Sequence, residues 1–529
     1  MSTNGISPNG NLDINDFYRV PNEKLTDAEK NSLKVTQLSE LQTNISKEIG
    51  TNWLTRTFNK IFHHGRTVAL KNLNEKLISG VTPEQVWLTD ALPKKTQELF
   101  RNYLSLFAEP EIKEDFKSSL TKEEFQQIWD SKQSQPIGEG GFGTVYQSAD
   151  GKYALKVAKE GKSIVDDTVK NEALKNNTKA FDDQFYYKEN DGFITKYVGT
   201  FKTEDNIDVA VFEKIEGQDF SKVDATTPAL QCRLLAQAAT AIAISHEAGC
   251  INSDIKPENM MVSTDPLILK LIDQGGVVDL TKGVTRSDIG TPGYEAPESA
   301  HPAPASDVFS LGVTILEKLS KDNPTIATLA AKTMLAFQKE ALGLSFDGKY
   351  SRRSVSQGIA VVFQKGQLFG TPEESRFVGY LLRDCLAYRP EDRISAAQAA
   401  EILQVFSSYL ENPVEECPNY DTVKAIAIED CPKGIPIALR KMLFDPKTQS
   451  QALKAIKNLV NVDPSYKSTP SYGMILLLKS PGKFASWAGK NPEAAQDLKK
   501  RSYVLGSAHN PDQDMPVSEE TYRKIQSLS

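Results

Sequence analysis

Apolar positions at helical spacing dominate the chain from about residue 25 to 130. The segment "VWLTDALPKKTQELFRNYLSLF" places Leu99, Tyr103 and Leu106 on one helix face. Three Thr residues, each followed three positions later by Glu or Gln, predict helix starts with reciprocal caps: Thr26 with Glu29, Thr82 with Gln85, and Thr121 with Glu124. We therefore expect a helical N-terminal region over 25–130, preceded by a flexible polar stretch over 1–24.

Strand-type alternation replaces this spacing at Ser131. The stretch "PIGEGGFGTVYQSADGKYALKVA" (136–158) contains two β-rich runs joined by a turn at Asp150–Gly151, which predicts an antiparallel hairpin. An Ala-rich helical region is expected to about residue 245, then short strands near 260–279, then more helix to about 410. Pieces such as "QALKAIKNLV" (451–460) predict a helical C-terminal region over 411–529. The whole pattern is typical of an α+β protein.

Length, charge and cysteine content narrow the class of protein. A chain of 529 residues is too long for one ordinary core, so two or three domains are expected. The net charge of −7 argues against a general nucleic-acid binder, which needs a basic face. Five scattered cysteines without a CxxC pair favour a reducing compartment and argue against a disulfide framework or a zinc site.

Targeting signals are not evident in the sequence. The start, "MSTNGISPNGNLDIND", lacks the charged-then-apolar pattern of a signal peptide. No run approaches the ~18–20 apolar residues that cross a bilayer. We expect a soluble protein without a transmembrane segment, and export by a machine that reads a C-terminal tail stays open.

Candidate phosphate-binding residues begin in the predicted hairpin. Gly138, Gly140 and Gly143, followed by Val145, match GxGxxGxV. In such a turn the backbone N–H groups approach phosphate oxygens at positions where a Cβ would clash. Glycines of an ordinary hairpin are the alternative.

A lysine with apolar neighbours follows on what should be the third strand. Lys156, in "YALKV", would need an anionic partner there, because an unpaired buried charge is costly. Glu172, in "VKNEALK", is the candidate, and a Lys–Glu pair that also reaches two ATP phosphates satisfies both charges. A surface lysine and a surface glutamate are the alternative.

The stretch "INSDIKPENMMV" (251–262) carries candidate chemistry for phosphoryl transfer. Asp254 can accept the proton of an incoming hydroxyl, Lys256 can neutralise the transferring phosphoryl group, and Asn259 can hold a magnesium ion. In "LKLIDQGGVV", Asp273 follows an apolar strand and offers a second ligand. Mg²⁺ prefers oxygen ligands, few of them from protein, and this pair supplies that set.

Taken in order, these motifs resemble those of the eukaryotic-type serine/threonine protein kinases over residues 131–410. Further matches are "GTPGYEAPE" (290–298), "SDVFSLGV" (306–313) and "RPEDRISAAQAAEIL" (389–403). The resemblance implies a bilobal kinase fold, with a small antiparallel β lobe and a helical lobe between the helical flanks. It implies ATP and Mg²⁺ as cofactors and transfer of the γ-phosphoryl group to a protein substrate, with "DIKPEN" and Thr291 favouring Ser or Thr acceptors.

The resemblance also implies roles for single residues. Glu213 and Ile215 would bind adenine through the backbone of the hinge between the lobes. Three apolar side chains would enclose the base: Val145, Ala154 and Met261. Glu298 would pair with Arg393 to lock the helical lobe, and Asp307 would brace the catalytic loop.

Two loops depart from the family pattern. Asn252 and Ser253 stand where members carry His and Arg, and Gln274 stands where they carry Phe. The missing arginine usually grips a phosphate on the activation segment, so we expect activity that needs no phosphate there; the candidate hydroxyls are Thr281, Thr285 and Ser287. We also expect a hydrogen bond between the two amides, since one amide facing an apolar ring would be left unpaired at ~1–3 kcal/mol. Independent drift of the two positions is the alternative.

Several functions therefore stay open. An active serine/threonine kinase is the leading hypothesis; a pseudokinase scaffold, or a kinase-fold enzyme with an unusual acceptor, are the alternatives. A kinase domain with altered loops between unassigned helical flanks also resembles kinases that intracellular bacteria secrete into host cells as virulence effectors, which implies a host-cell protein target. The tail "PVSEETYRKIQSLS" (516–529) is similar to C-terminal export signals, and a plain disordered terminus is the other interpretation.

Overall fold

The computed structural model describes most of the chain beyond residue 120. The described residues are 39, 43–45, 120–139, 143–158, 192–225, 227–263, 267–282, 290–319, 368–411, 416–431, 433–444, 447–504 and 515–527, with short helical runs within 326–333 and 358–365. The chain divides into two compact units, Met1–Phe116 and Lys117–Ser529, and every labelled element belongs to the second. Several predicted features lie outside the described residues: Gly140, Glu172, Thr285, Ser287 and the helix starts at Thr26 and Thr82.

A short helix and five strands form the β lobe. Helix α1 (Lys122–Ser131) begins at Thr121 with the predicted capping box: Glu124 N donates to Thr121 Oγ1 (3.2 Å), and Thr121 N donates to Glu124 Oε2 (2.8 Å). The strands are β1 (Gly138–Glu139), β2 (Gly143–Gln147), β3 (Tyr153–Ala158), β4 (Tyr197–Lys202) and β5 (Asp208–Glu213). They form one antiparallel sheet in the order β1-β2-β3-β5-β4, so the predicted hairpin of β2 and β3 is confirmed.

Helix α1 packs directly on this sheet. The Phe125 ring stacks on Phe201 with centroids 5.1 Å apart, and Trp129 meets Tyr146 edge-on at 6.3 Å. Gly199 makes the close approach possible, because a Cβ there would lie 3.0 Å from the Phe125 ring. The end of the N-terminal flank is therefore part of the β-lobe core.

The expectation of continuous helix up to about residue 245 is wrong for the segment that holds β4, β5 and β6 (Gly217–Asp219). Valine and aromatic residues in "YVGTFK" and "DVAVFE" favour strands, and Asn206 between them adopts a φ of +67°, which suits a tight turn. Among the described residues of this region, the Ala-rich helix is α2 (Pro228–Glu247). It begins after Thr227, whose side chain accepts a hydrogen bond from Leu230 N.

The described part of the helical lobe has one hydrophobic core, which includes buried side chains of the short helical runs within 326–333 and 358–365. The labelled helices that contribute to it are α2, α3 (Pro304–Leu319), α4 (Pro372–Cys385), α5 (Ala396–Glu411) and α6 (Tyr420–Asp430). Phe377 of α4 stacks on Phe406 of α5 with centroids 4.3 Å apart. Although α6 lies beyond residue 411, its apolar side chains belong to this core. The helical lobe thus extends into the predicted C-terminal region.

Short strands hold the loops that carry the candidate chemistry. β8 (Met260–Ser263) and β9 (Leu269–Leu271) form a three-stranded antiparallel sheet with β6, while β7 (Cys250–Ile251) pairs with β10 (Val278–Asp279). The predicted strands near 260–279 are therefore confirmed. Asp254 lies in the loop from β7 to β8, and Asp273 lies between β9 and β10.

The remaining elements of the C-terminal region are mostly helical, as predicted. They are α7 (Ile437–Phe444), α8 (Gln449–Val462), α9 (Pro470–Lys479), α10 (Pro481–Lys490), α11 (Pro492–Arg501), β11 (Ser502–Val504), β12 (Met515–Val517) and α12 (Glu519–Gln526). They form two small hydrophobic cores, separate from that of the helical lobe. Among the helices that the structure describes, none is long and apolar enough to cross a membrane.

Candidate active site

The glycine-rich residues lie on the first two strands of the β lobe. Gly138 of β1 is paired with Val145 of β2. Gly143 approaches the neighbouring strand so closely that a Cβ there would lie 2.6 Å from Val157 O. A side chain would therefore push β2 away from β3, which explains why glycine is needed at this position.

Lys156 lies in the middle of β3 and links the β lobe to the loop between β9 and β10, which carries Asp273. Its side chain is only 13% exposed, and its Nζ lies 2.7 Å from Asp273 Oδ1. A buried ammonium group requires such a partner. The predicted ion pair with Glu172 stays a prediction, because that residue is outside the described part of the chain.

Asp254 is the centre of a hydrogen-bond network in the catalytic loop. Lys256 Nζ donates to Asp254 Oδ2 (2.9 Å), and the Thr291 hydroxyl donates to Asp254 Oδ1 (2.6 Å). Lys256 Nζ also lies 2.6 Å from Thr291 Oγ1, which closes a triangle of three polar groups. The predicted base and its neighbouring lysine are thus held together by a residue from the "GTPGY" segment.

Asn259 is oriented by the same aspartate. Its Nδ2 donates to the backbone oxygen and to Oδ2 of Asp254, both at 2.8 Å, so the amide oxygen is the atom that could bind a metal ion. Ile272 N donates to Asn259 O (2.9 Å), so Asp273 follows directly across the β8–β9 hairpin. The side chain of Asp273 is 42% exposed. One amide oxygen and one accessible carboxylate at the end of one hairpin fit Mg²⁺, which takes few protein ligands and completes its shell with phosphate and water.

Asp307 braces the entrance of the catalytic loop, as the resemblance implied. Its Oδ2 accepts from Asn252 N (2.8 Å), and its Oδ1 accepts from Ser253 N (2.8 Å). His246 Nε2, at the end of α2, lies 2.8 Å from Asp307 Oδ2. Asp307 is 1% exposed, so these contacts are shielded from water and fix the loop to α2 and α3.

Ser253, one of the replaced residues, has an unusual backbone conformation and a buried hydroxyl. This residue adopts a φ of +64°, a conformation that costs a non-glycine residue free energy and persists only where its surroundings enforce it. Its buried Oγ makes no hydrogen bond to any described residue. The expected hydrogen bond between Asn252 and Gln274 stays a prediction, since the Gln274 side chain lies outside the description.

The predicted adenine-binding residues lie on strands β2, β3 and β5 of the β lobe, just after β5, and on β8. The Glu213 carboxylate accepts hydrogen bonds from Lys270 Nζ (2.7 Å) and Lys196 N (2.9 Å). Because its side chain is already engaged, the predicted adenine contact at Glu213 would have to come from its backbone. Ile215 is buried. The three side chains expected to enclose the base are half-buried on their strands: Val145, Ala154 and Met261.

Sequence reasoning missed two residues of this arrangement. His246 precedes the catalytic loop and contacts Asp307, but a lone histidine in an Ala-rich helix carries no local signal of that role. Thr291 was taken only as a mark of Ser or Thr acceptors, although its hydroxyl contacts Asp254 directly. Both contacts join segments that are distant in sequence, so spacing could not reveal them.

The Tyr294–Glu317 pair supports the end of the "GTPGYEAPE" segment against α3. The Tyr294 hydroxyl donates to Glu317 Oε2. Burial raises the pKa of Glu317 and outweighs the lowering effect of the Tyr294 hydrogen bond, while the charge of Glu258 raises it further. Burial likewise raises the pKa of Tyr294.

Glu317→Gln is expected to change how stability depends on pH. The folded pKa of Glu317 is raised above its unfolded value of ~4.3, so its favourable contribution is present below that pH and is lost as pH rises through the folded pKa. Glutamine still accepts the Tyr294 hydroxyl but cannot ionise. Melting temperatures measured from about pH 4 to about pH 8 should therefore show that the variant becomes more stable relative to the wild type as pH rises. A difference that stays constant with pH would contradict the assignment.

Known proteins with similar sequences are protein kinases. The protein kinase domain model matches residues 131–404, just over half of the chain. The chain is 34% identical over 143 residues to "Serine/threonine-protein kinases drp72" of Corynebacterium efficiens, covering 25% of this chain and 27% of that protein. It is 36% identical over 128 residues to serine/threonine-protein kinase PknA of Mycobacterium tuberculosis, covering 22% of this chain and 28% of that protein. It is 32% identical over 135 residues to serine/threonine-protein kinase D of Synechocystis, and this match covers 24% of this chain and 27% of that protein.

The aligned segments span little more than a quarter of each of these relatives. The match to the domain model, in contrast, runs from the end of α1 to α5 and includes every described residue of the network around Asp254. The matched residues include β1–β10, α2–α4 and part of α5, whereas α6 lies beyond them. The chain belongs to the protein kinase family.

Proposed function

We propose that this protein is an ATP-dependent serine/threonine kinase that transfers the γ-phosphoryl group to a protein hydroxyl. The observation that carries the proposal is the convergence of Asp254, Asn259, Asp273 and Lys156 at one junction between the lobes. These residues supply a proton acceptor, two metal ligands and a phosphate-binding cation. The serine/threonine kinases to which the chain is similar support the same reaction class.

Each residue has a role that follows from its contacts. Asp254 accepts the proton of the substrate hydroxyl and orients its oxygen, and its own geometry is set by Thr291 and Lys256. Lys256 lies next to that carboxylate and offsets the negative charge of the transferring group. Lys156 holds phosphate oxygens from the β-lobe side. Asn259 and Asp273 would hold Mg²⁺, which would neutralise charge on the phosphate oxygens of ATP.

Transfer from ATP labelled in the γ position tests the proposal. Purified full-length protein is incubated with Mg²⁺, labelled ATP and a cell lysate, and the labelled residues are identified by mass spectrometry. Phosphoserine or phosphothreonine is the expected product. Lack of any transfer would support the pseudokinase alternative, and a nucleotidyl adduct or a phosphorylated lipid would support an unusual acceptor.

We also propose that activity does not require phosphorylation of the activation segment. Ser253 replaces the arginine that would bind such a phosphate, and it cannot form an ion pair. Thr281 is half-buried, and its N donates to Asp279 Oδ1 (2.9 Å) while its hydroxyl contacts the same oxygen. Its hydroxyl is therefore already engaged within the fold.

Dephosphorylated recombinant protein is accordingly expected to be fully active. The triple variant Thr281→Val, Thr285→Ala and Ser287→Ala should keep transfer activity within about twofold, because no described contact of Asp254 depends on these hydroxyls. Intact-mass measurement confirms the absence of phosphate before the assay. Protein that is inert until one of these residues is modified would contradict the proposal.

Secretion into a host cell and a host-protein target are part of the same proposal, resting on the altered loops and on the tail over 516–529. A reporter fused to these residues and tested for delivery from a bacterium addresses export. Labelling of host lysate in parallel with bacterial lysate addresses the target. A reporter that stays in the bacterium, with bacterial proteins alone labelled, would contradict it.

A further inference from the structure

The two-stranded ribbon of β7 and β10 connects directly to the catalytic residues. Ile251 of β7 pairs with Val278 of β10, and Cys250 pairs with Asp279. Asn252, Ser253 and Asp254 follow β7 immediately, while the loop that begins at Asp273 ends in β10. Any tilt of this ribbon would therefore move the proton acceptor and a metal ligand together.

The apolar face of the ribbon is covered by the C-terminal region. Ile251, Val278 and Leu280 are 0%, 6% and 1% exposed, and Ala303, directly before α3, is 0% exposed. These four residues share one hydrophobic core with side chains from the C-terminal helices: Ile435, Leu439, Leu443, Ala452, Ala455, Ile456, Leu459, Val460, Tyr466 and Ile475. The core of the helical lobe is a separate cluster among the described residues.

The approach of α7 to the ribbon is close. Gly249, just before β7, has a φ of +76°, and its carbonyl accepts a hydrogen bond from Leu280 N (2.9 Å). A Cβ at Gly249 would lie 3.2 Å from the Ala438 Cβ of α7 and 3.2 Å from Thr281 Cγ2. Glycine thus allows α7 to rest against the turn that enters the catalytic loop.

We propose that α7 and α8 act as an intramolecular clamp that positions the catalytic loop and the start of the activation segment. The C-terminal region would then be a working part of the phosphoryl-transfer machinery, with Leu439, Ile456 and Leu459 as positioning residues. This inference rests on the proposed kinase activity. It gives a function to a segment that lies beyond the residues matched by the kinase domain model.

The physical argument is that a loop that positions reacting groups has to be held rigidly by its neighbours. Ser253 cannot bind a phosphorylated activation segment, and Asp307 restrains only the loop entrance. Packed side chains resist displacement because any gap loses contacts and exposes apolar surface to water. A ribbon enclosed by α7 and α8 is therefore held whether or not the activation segment is phosphorylated.

Matched substitutions in full-length protein test the clamp. Leu459→Ala and Ile456→Val loosen the core that covers the ribbon. Leu498→Ala and Ile525→Val remove the same atoms from the other C-terminal core, formed by residues of α9–α12 and β12. All four positions are at most 2% exposed, so each pair is matched in chemistry and burial. Melting temperatures establish that the compared proteins are folded under the assay conditions.

Hydrogen–deuterium exchange without nucleotide is the first readout. Amides of residues 249–254 and 277–282 are expected to exchange faster in the clamp variants than in their controls. The second readout is kinetic. The kcat of Leu459→Ala should fall roughly tenfold or more, because misplaced reacting groups lower kcat, while KM for ATP should change by a smaller factor, because the adenine-binding candidates of the β lobe are untouched. Ile456→Val should show the same changes to a smaller extent, and it remains informative if Leu459→Ala does not fold.

The outcomes separate the clamp from the kinase proposal. Equal exchange of the ribbon amides in clamp and control variants overturns the clamp, whatever the activity. Faster exchange with kcat equal to that of the control overturns the positioning role. Wild-type protein that transfers no phosphoryl group refutes the proposed function, and the exchange comparison then still decides whether α7 and α8 hold the ribbon.

Discussion

Asp254→Asn is expected to lower kcat for phosphoryl transfer by roughly 10²–10⁴-fold, which is the usual contribution of a positioned proton acceptor. Asparagine has nearly the same shape, but its amide neither takes up the hydroxyl proton nor carries the charge that holds Lys256 at 2.9 Å. The Asn259 amide would also lose a carboxylate partner at 2.8 Å. Initial rates with saturating ATP measure the effect directly.

The control for this substitution is Asp205→Asn. Asp205 is an exposed carboxylate in the turn between β4 and β5, so its removal changes the net charge equally without touching the site. Its kcat should equal that of the wild type, and both variants should melt close to the wild-type temperature. Full activity of Asp254→Asn would show that the proton is accepted elsewhere and would remove the central role from the proposed mechanism.

Arg393→Met is expected to destabilise the helical lobe by about 3–5 kcal/mol, the range observed when one partner of a buried ion pair is removed. The Arg393 side chain is 0% exposed, and its two Nη atoms lie 2.6 and 3.1 Å from the two carboxylate oxygens of Glu298. The guanidinium group also donates to three backbone oxygens, those of Ala387, Ala305 and Tyr388. Methionine fills similar volume but donates to none of these oxygens, and Glu298 keeps the hydrogen bond that the Ser306 hydroxyl donates to its Oε1 (2.7 Å).

Denaturant unfolding of the full chain measures this loss. Arg523→Met is the matched control, because Arg523 pairs with Glu519 on an exposed helix surface, where the two side chains are 78% and 65% exposed. Exposed pairs contribute little because solvent screens them. If both variants lost the same small amount of stability, the Glu298–Arg393 pair would not be the lock between the "GTPGYEAPE" segment and the last part of the domain.

The sequence predicted which residue types would form the candidate site, but it predicted only some of the contacts between them. Asp254, Asn259 and Asp273 were identified because each residue type matches its task and the order of the motifs matches the family. Lys156 was also identified, but the described structure places it on Asp273, 117 residues away, and leaves the expected Glu172 pair untested. The choice among acidic partners depends on how the lobes meet, which no local pattern encodes.

The fold was predictable where neighbouring residues decide it. The capping box at Thr121 and the hairpin at Gly151 depend on residues within about five positions, and both were expected correctly. Strands β4 and β5 were missed because the Ala-rich α2 that follows them dominated the pattern. Their register is set by pairing with β3 and by the packing of Phe125, and both are contacts between distant segments.

The sequence by itself determined the family, the candidate residues for the chemistry and the positions where an expected residue is replaced. Only the tertiary structure decided that Thr291 reaches Asp254, that His246 reaches Asp307, and that C-terminal helices cover the ribbon beside the catalytic loop. The physical reason is the distance along the chain over which each interaction acts. Turns, caps and strand propensity act between near neighbours, whereas burial and hydrogen bonding between distant segments exist only after the chain has closed its loops and packed its cores.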